Sequence, residues 1–264
     1  MLKNQLILVG LWWILSSCQN ATQQAAGIAL SFDDRYITQW DSLRPLLRKY
    51  NAKVTFYVTQ FDSLTPPQIA VLKQLKQEGH EIGAHGAAHH RIIDFALAGG
   101  SLEDYFKQEV EAEIKSMQKA GFNPTSFAHV GGQQTWWTDR ILLRRYFKIL
   151  RDVTTPKRQI GFLYWYRPVF ALDEAFYEFD YCQTVNAIII DNYTKTTDNE
   201  IFDGLIRARD TQSVFLMMGH KPLFTAQNES YGFLVTRLED ILKQSQRLGL
   251  KTYTMSELVS HVKP

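Results

Sequence analysis

Two carboxylates stand side by side at Asp33 and Asp34, where the apolar run Ile28-Ala29-Leu30-Ser31-Phe32 ends. Side chains along a strand alternate faces, so neighbouring acids normally point apart; both reach one cleft only where the strand finishes and the chain bends. In α/β proteins that cleft lies at the carboxyl ends of the strands. The segment therefore reads as a strand delivering two acids to a reaction centre, with the plainer alternative that one of them N-caps the next helix. A second segment favours the first reading. In His80-Glu81-Ile82-Gly83-Ala84-His85-Gly86-Ala87-Ala88-His89-His90, imidazoles recur at i and i+4 directly after another strand-like run. One Asp with two His at this spacing can hold a metal and leave positions open. His90 competes with His89 as the second imidazole, and the i+4 spacing favours His89.

The elements that must position these groups alternate along the chain from Gly27 onward, without internal repeats. Residues 53–58, 80–84, 125–128, 147–150, 185–190, 214–218 and 251–253 read as strands from their β-branched and aromatic content. Residues 40–50, 65–79, 101–120, 137–145, 197–209 and 231–248 read as helices. Thr65-Pro66-Pro67-Gln68 and Thr197-Asp198-Asn199-Glu200 are helix-start signatures, and Gly79 and Gly249 are stops. About eight βα units in one continuous chain predict a parallel sheet. No glycine-rich phosphate loop follows any strand. Polar candidates instead follow several strands, with His129 after the fourth, Asp191 after the sixth and His220 after the seventh. Such a ring suits a barrel mouth better than a single crevice. Residues 152–182, rich in aromatic side chains, do not parse as βα units and read as an insertion over one barrel end. Trp136-Trp137 and the aromatic residues at 164–166 are either core or sugar-stacking platforms. His80, at a strand start after Gly79, reads as structural.

The first residues read as a targeting segment. Lys3 precedes an apolar stretch at 6–15 that is too short to span a bilayer. It ends in Leu15-Ser16-Ser17-Cys18, which resembles a bacterial lipobox. Residues 1–17 are then a lipoprotein signal peptide, Cys18 the lipidated residue, 18–26 the lipidated Cys with a short tether, and 27–264 a single domain. No Asp follows Cys18, which by the sorting pattern of such lipoproteins points to the outer membrane of a Gram-negative cell envelope. A formal net charge of +2 gives no case for nucleic acid as a partner. With Cys18 lipidated, Cys182 has no partner for a disulfide and reads as a buried small residue.

Ser31-Phe32-Asp33-Asp34, His85-x-x-x-His89 and Met217-Met218-Gly219-His220 resemble motifs of the polysaccharide deacetylase family, carbohydrate esterase family 4, with its NodB-homology domain. Ala52-Lys53-Val54-Thr55-Phe56-Tyr57-Val58, Glu78-Gly79-His80-Glu81-Ile82-Gly83 and the ending from Leu248 to Leu258 are similar to it as well. The resemblance implies a distorted (β/α) barrel with a divalent metal at its mouth, zinc first and cobalt, nickel or manganese as alternatives. It implies Asp33 as catalytic base, Asp34, His85 and His89 as metal ligands, and His220 as the acid that protonates the leaving group. The implied activity is metal-dependent removal of acetyl groups, N-acetyl first, from a cell-envelope or extracellular polysaccharide, with the membrane reached only through the lipid anchor.

Three departures from the pattern stand out. Gly86 occupies the place of the family's Ser or Thr after the first ligand. Ala128 stands in the Phe127-to-Gly132 stretch where the family has an Arg that orients the base. Asp191 lacks the accompanying Trp of the fourth motif. Asp33 is accordingly expected to be held by weaker partners, His129 or backbone amides. Two other functions remain open at this point: a catalytically degenerate glycan-binding lipoprotein, and a hydrolase of small non-sugar amides on the same fold.

Overall fold

The computed structural model describes residues 25–160, 163–225 and 231–260. Seven strands form the barrel: β1 (Gly27–Asp34), β2 (Thr55–Val58), β3 (Glu81–Ala84), β4 (Ser126–Ala128), β5 (Ile149–Thr154), β6 (Thr184–Ile189) and β7 (Val214–Gly219). They pair in that order, all parallel, and β7 returns to β1 to close the ring. The expected (β/α) barrel is therefore present, with seven closing strands instead of about eight units. The strand Lys251–Tyr253 lies outside the ring: it pairs with Gly27–Ala29 of β1, on the edge that β2 takes over from Ser31. β1 serves two neighbours on one edge, which distorts the barrel.

Strand alternation sorts the sequence into two cores. Ile28, Leu30, Phe32, Phe56, Val58, Ile82, Phe127, Leu150, Phe215 and Met217 belong to the larger hydrophobic cluster, together with helix residues such as Leu47, Leu72, Leu205 and Leu238. The opposite parity, with Ala29, Tyr57, Ala128, Ile149, Ala187, Leu216 and Met218, forms a second cluster that fills the barrel interior. Met255, Leu258 and Val259 of the closing segment join this second cluster and plug the amino-terminal end of the barrel. Smaller interior residues match the narrow ring; Gly83 leaves room for Tyr57, whose ring would lie 2.5 Å from a Cβ there.

Several elements differ from the sequence expectation. The helix expected at 40–50 is two pieces, Ile37–Asp41 and Arg44–Lys49. The long helix at 101–120 contains a π-helical stretch, Phe106–Glu111, between Leu102–Tyr105 and Ala112–Lys119. The last long helix begins at Val235 rather than 231, because Phe233–Leu234 pairs with Pro222–Leu223 first. The fifth strand runs on to Thr154, so the charged residues Arg151 and Asp152 lie within it and are buried. The insertion at 152–182 leaves β5 at the mouth as a hairpin, Lys157–Ile160 with Leu163–Tyr166. It returns as Phe176–Tyr177, antiparallel to the start of β7. Cys182 is exposed rather than buried, because it falls after this return and before β6. Residues 1–17, Cys18, the tether up to residue 24 and His261 lie outside the described residues. Among the described residues no helix is long and apolar enough to cross a membrane.

Candidate active site

Asp33 lies at an inward position of β1, in register with Ala29 and Ser31, and is almost fully buried. By alternation Asp34 should point outward with Phe32. Its backbone instead takes φ +82°, in the left-handed region that non-glycine residues rarely adopt. That single conformation turns the second carboxylate back over the barrel mouth beside the first. Neither acid is required as a helix cap, since the helix that follows begins only at Ile37.

His85 follows directly on β3 and is buried. Its Nδ1 donates to the carbonyl of Ala128 at 2.9 Å, which leaves Nε2 as the lone-pair nitrogen facing the mouth. His89 Nε2 lies 3.2 Å from Asp34 Oδ1 and 3.3 Å from His85 Nε2, and His85 Nε2 lies 3.7 Å from Asp34 Oδ1. His90 turns away, its Nδ1 2.6 Å from Glu109. The donor atoms of Asp34, His85 and His89 lie within 4.8 Å of one another. Bonds of about 2.0–2.2 Å to a tetrahedral ion would separate donors by ~3.3–3.6 Å, close to the spacings here. Asp34 Oδ1 is buried and makes no hydrogen bond of good geometry, as suits an oxygen reserved for a cation. The three residues thus fit a divalent metal.

The electrostatics agree with that fit. Burial works against a charge on Asp34, yet the close approach of His89 and the nearby His85 and His220 rings hold its carboxyl well below the usual carboxylate range. Burial pushes the His85 imidazole below its ordinary value, against the pull of Asp33 and Asp34. That shift favours the neutral imidazole, the form that can donate a lone pair.

Asp33 is not held by His129. His129 Nε2 lies 3.0 Å from Asp139, on the helix Trp136–Arg145, and its ring packs edge-on to Phe127. The expected weak partners are replaced by Arg151, whose buried guanidinium pairs with Asp33 Oδ2 and lies 5.3 Å from the centroid of the Tyr57 ring. Arg151 reaches the position from β5, one strand beyond the Ala128 that departs from the family pattern. It escapes notice in the sequence because the apolar run ends at Leu150. The available signal was a charged pair, Arg151-Asp152, continuing an apolar run as Asp33-Asp34 does. Asp33 Oδ1 is buried and keeps no hydrogen-bond partner.

Asp191 and His220 meet across the mouth. Asp191 Oδ1 accepts the backbone N–H of His220 at 3.1 Å, and Oδ2 contacts His220 Nδ1. Burial disfavours the imidazolium, but the bond to Asp191 and the charges of Asp33 and Asp34 raise the His220 pKa above its ordinary value. With Nδ1 committed to Asp191, Nε2 is the ring nitrogen left free at the cavity. Two residues without a sequence signal complete the wall. Tyr231 donates its hydroxyl to Asp34 Oδ2 at 3.0 Å and lies with its ring centroid 4.3 Å from that of His220; Tyr193 stacks parallel to it. Together these groups enclose a cavity of about 210 Å³ that also includes Gly131, Gly132 and Met218. His80, by contrast, is buried away from the site and accepts the N–H of Val54. Trp136 and Trp137 are exposed rather than core.

The comparisons with known proteins agree with this picture. Residues 20–138 match the family model described as polysaccharide deacetylase. No curated protein matches the chain by sequence. Among solved structures, the chain is similar to a putative polysaccharide deacetylase from Mycobacterium smegmatis, 15% identical, covering 91% of each chain with a TM-score of 0.56. It is also similar to the catalytic domain of a peptidoglycan N-acetylglucosamine deacetylase from Eubacterium rectale, 15% identical, covering 91% of each chain with a TM-score of 0.54. A third is the peptidoglycan deacetylase PdaC from Bacillus subtilis, 17% identical, covering 89% of this chain and 90% of that one, TM-score 0.53. At these identities the likeness shows the shared fold.

The Arg151–Asp33 pair yields a stability prediction. Removing one partner of a buried ion pair strands the other charge, at a cost of roughly 3–5 kcal/mol. Arg151→Met should therefore lower unfolding free energy in urea by about that amount, and the Asp33→Asn/Arg151→Met double variant should recover most of it. A loss below about 1 kcal/mol in the single variant would mean that the two groups do not depend on each other.

Proposed function

We propose that this chain, whose residues 20–138 match the polysaccharide deacetylase family, is a hydrolase of carbon–nitrogen bonds that removes acetyl groups from a polysaccharide. The observation that carries the reading is the convergence of Asp33, Asp34, His85, His89 and His220 on one cavity at the barrel mouth. N-acetyl groups of a cell-envelope or extracellular glycan are the substrate we favour, in keeping with the peptidoglycan deacetylases that share the fold.

In this reading Asp34, His85 and His89 hold a divalent metal, zinc by the nature of the donors, which when bound polarises the acetamide carbonyl and acidifies water. Asp33 takes the proton of the attacking water at Oδ1, the oxygen that Arg151 leaves free. Arg151 fixes the orientation of the base. Water oxygen bonds to the carbonyl carbon, the carbon–nitrogen bond breaks, and His220 gives a proton from Nε2 to the departing amine. Asp191 holds His220 in the tautomer and orientation this requires. The products are acetate and a free amino sugar. Tyr193 and Tyr231 offer a flat apolar wall beside the reacting groups, the kind of surface on which a sugar ring packs.

The direct measurement is acetate release from N-acetylglucosamine oligomers. Release should stop in chelator and return with added zinc or cobalt, and chelator-insensitive release would remove the metal from the mechanism. Asp33→Asn should cut turnover by roughly 10²–10⁴-fold while leaving metal content unchanged.

The pH dependence follows from His220. The reaction needs its protonated form, so activity falls as pH rises through its pKa, which Asp191 holds above the ordinary value. Asp191→Asn removes that support, and the alkaline limb of the kcat profile should shift to lower pH. An unmoved alkaline limb would exclude His220 as the proton donor.

We also propose that Cys18 is lipidated and tethers the domain in the outer membrane of a Gram-negative envelope, on the strength of Leu15-Ser16-Ser17-Cys18 alone. Labelled palmitate fed to producing cells should enter the wild-type chain and not the Cys18→Ser chain. Equal labelling of both would end this reading.

A further inference from the structure

A buried acid lies beneath the loop that carries His89, and the chemistry above does not use it. Glu109 is fully buried and belongs to the π-helical stretch Phe106–Glu111. Such a turn adds a residue to the helix, locally shifts the phase of its side chains, and recurs at functional sites. Glu109 Oε2 accepts the backbone N–H of Ala88 at 2.9 Å, and Oε1 lies 2.6 Å from His90 Nδ1. Its backbone carbonyl accepts the N–H of Ala87 at 3.0 Å. These contacts fall on both sides of His89.

His89 needs such support. Its backbone sits at φ +63°, a region that side chains other than glycine occupy only where the surroundings hold them. Left to itself the loop would relax, and Nε2 would leave its place 3.2 Å from Asp34. Gly86 belongs to the same arrangement. It lies at φ +87°, and a Cβ there would meet Glu109 Oε2 at 2.9 Å. The glycine that departs from the family pattern is what lets the carboxylate come this close. Glu113, one turn further along, shows what a plain scaffold acid does in the same helix: it accepts the N–H of Phe61, and burial pushes its carboxyl up to about 9. The side-chain bonds of Glu109 described here go to the His loop instead. One of them goes to an imidazole that is more than half exposed, a contact that packing alone does not require.

We propose that Glu109 is a positioning residue of the metal centre: by holding Ala88 and His90 it clamps the chain on either side of His89 and aims His89 Nε2 at the donor cluster. The proposal rests on the reading of Asp34, His85 and His89 as a metal site, and the test separates the two.

The test is titration of the metal-free full chain with Co²⁺, followed by calorimetry and visible absorption. The parent chain should bind one ion; no binding would overturn the metal reading and this proposal with it. Glu109→Ala should bind about 10–100-fold more weakly, the usual effect of losing an outer partner of a ligand, with a changed absorption spectrum. Glu109→Gln keeps an acceptor for Ala88 and should recover most of the affinity. If it is as weak as Glu109→Ala, the hydrogen-bond clamp is wrong. His90→Ala removes one arm at a surface side chain, does not threaten the fold, and should weaken binding several-fold. Parent-like affinity and spectrum in folded Glu109→Ala, or in His90→Ala where Glu109→Ala does not fold, overturns the proposal.

Discussion

The mouth of this barrel is built around one buried ion pair, Asp33 with Arg151. Asp33 is taken out of water by the barrel wall, and a charge buried in this way is costly unless it is paired. The structure answers with Arg151, equally buried, delivered by β5 across the barrel interior. The guanidinium is in turn flanked by the Tyr57 ring, which stands on the adjoining layer of the interior. A cation of fixed charge is the suitable partner, since Arg does not lose its proton at any working pH. The barrel closure, which puts β1 and β5 on opposite sides of one small ring, makes the pair reachable.

The same logic recurs around the cavity. Four of the five clustered side chains have one atom tied down and one left free. Asp33 gives Oδ2 to Arg151, His85 gives Nδ1 to Ala128, Asp34 gives Oδ2 to Tyr231, and His220 gives Nδ1 to Asp191. The free atoms are the ones that converge. Orientation by outer partners, together with burial, is what turns ordinary side chains into a reaction centre. Two backbone distortions contribute, at Asp34 and His89, both in the left-handed region. Strain of this kind collects at functional sites because the surrounding contacts over-determine the local conformation.

The departures from the family pattern gain a physical explanation. Where Ala128 offers no guanidinium, the neighbouring strand supplies one. Where Gly86 offers no hydroxyl, its missing Cβ admits Glu109. Where Asp191 has no Trp beside it, Tyr193 and Tyr231 provide the flat wall. The function of a site lies in charges and contacts at points in space, and a different element can bring them there. The degenerate glycan-binding reading drew on these absences, and its motivation weakens once the replacements are seen.

The amino-acid sequence by itself determined the alternation of strands and helices, the parallel sheet, and the strand ends that carry Asp33, Asp34, His85, His89, Asp191 and His220. These follow from local periodicity and from spacing within a few residues, which a linear reading captures. Only the tertiary structure decided that the ring closes with seven strands, that Asp34 turns back beside Asp33, and that Arg151 replaces His129 as the partner of Asp33. Arg151 and Asp33 are 118 residues apart, and Tyr231 and Asp34 are 197 apart. Such pairings depend on which strands become neighbours and which side chains share one interior. The buried position of Arg151 runs against its own hydrophilicity, so composition pointed away from it. A charge goes inside only where another charge is waiting, and the chain order does not say where that is.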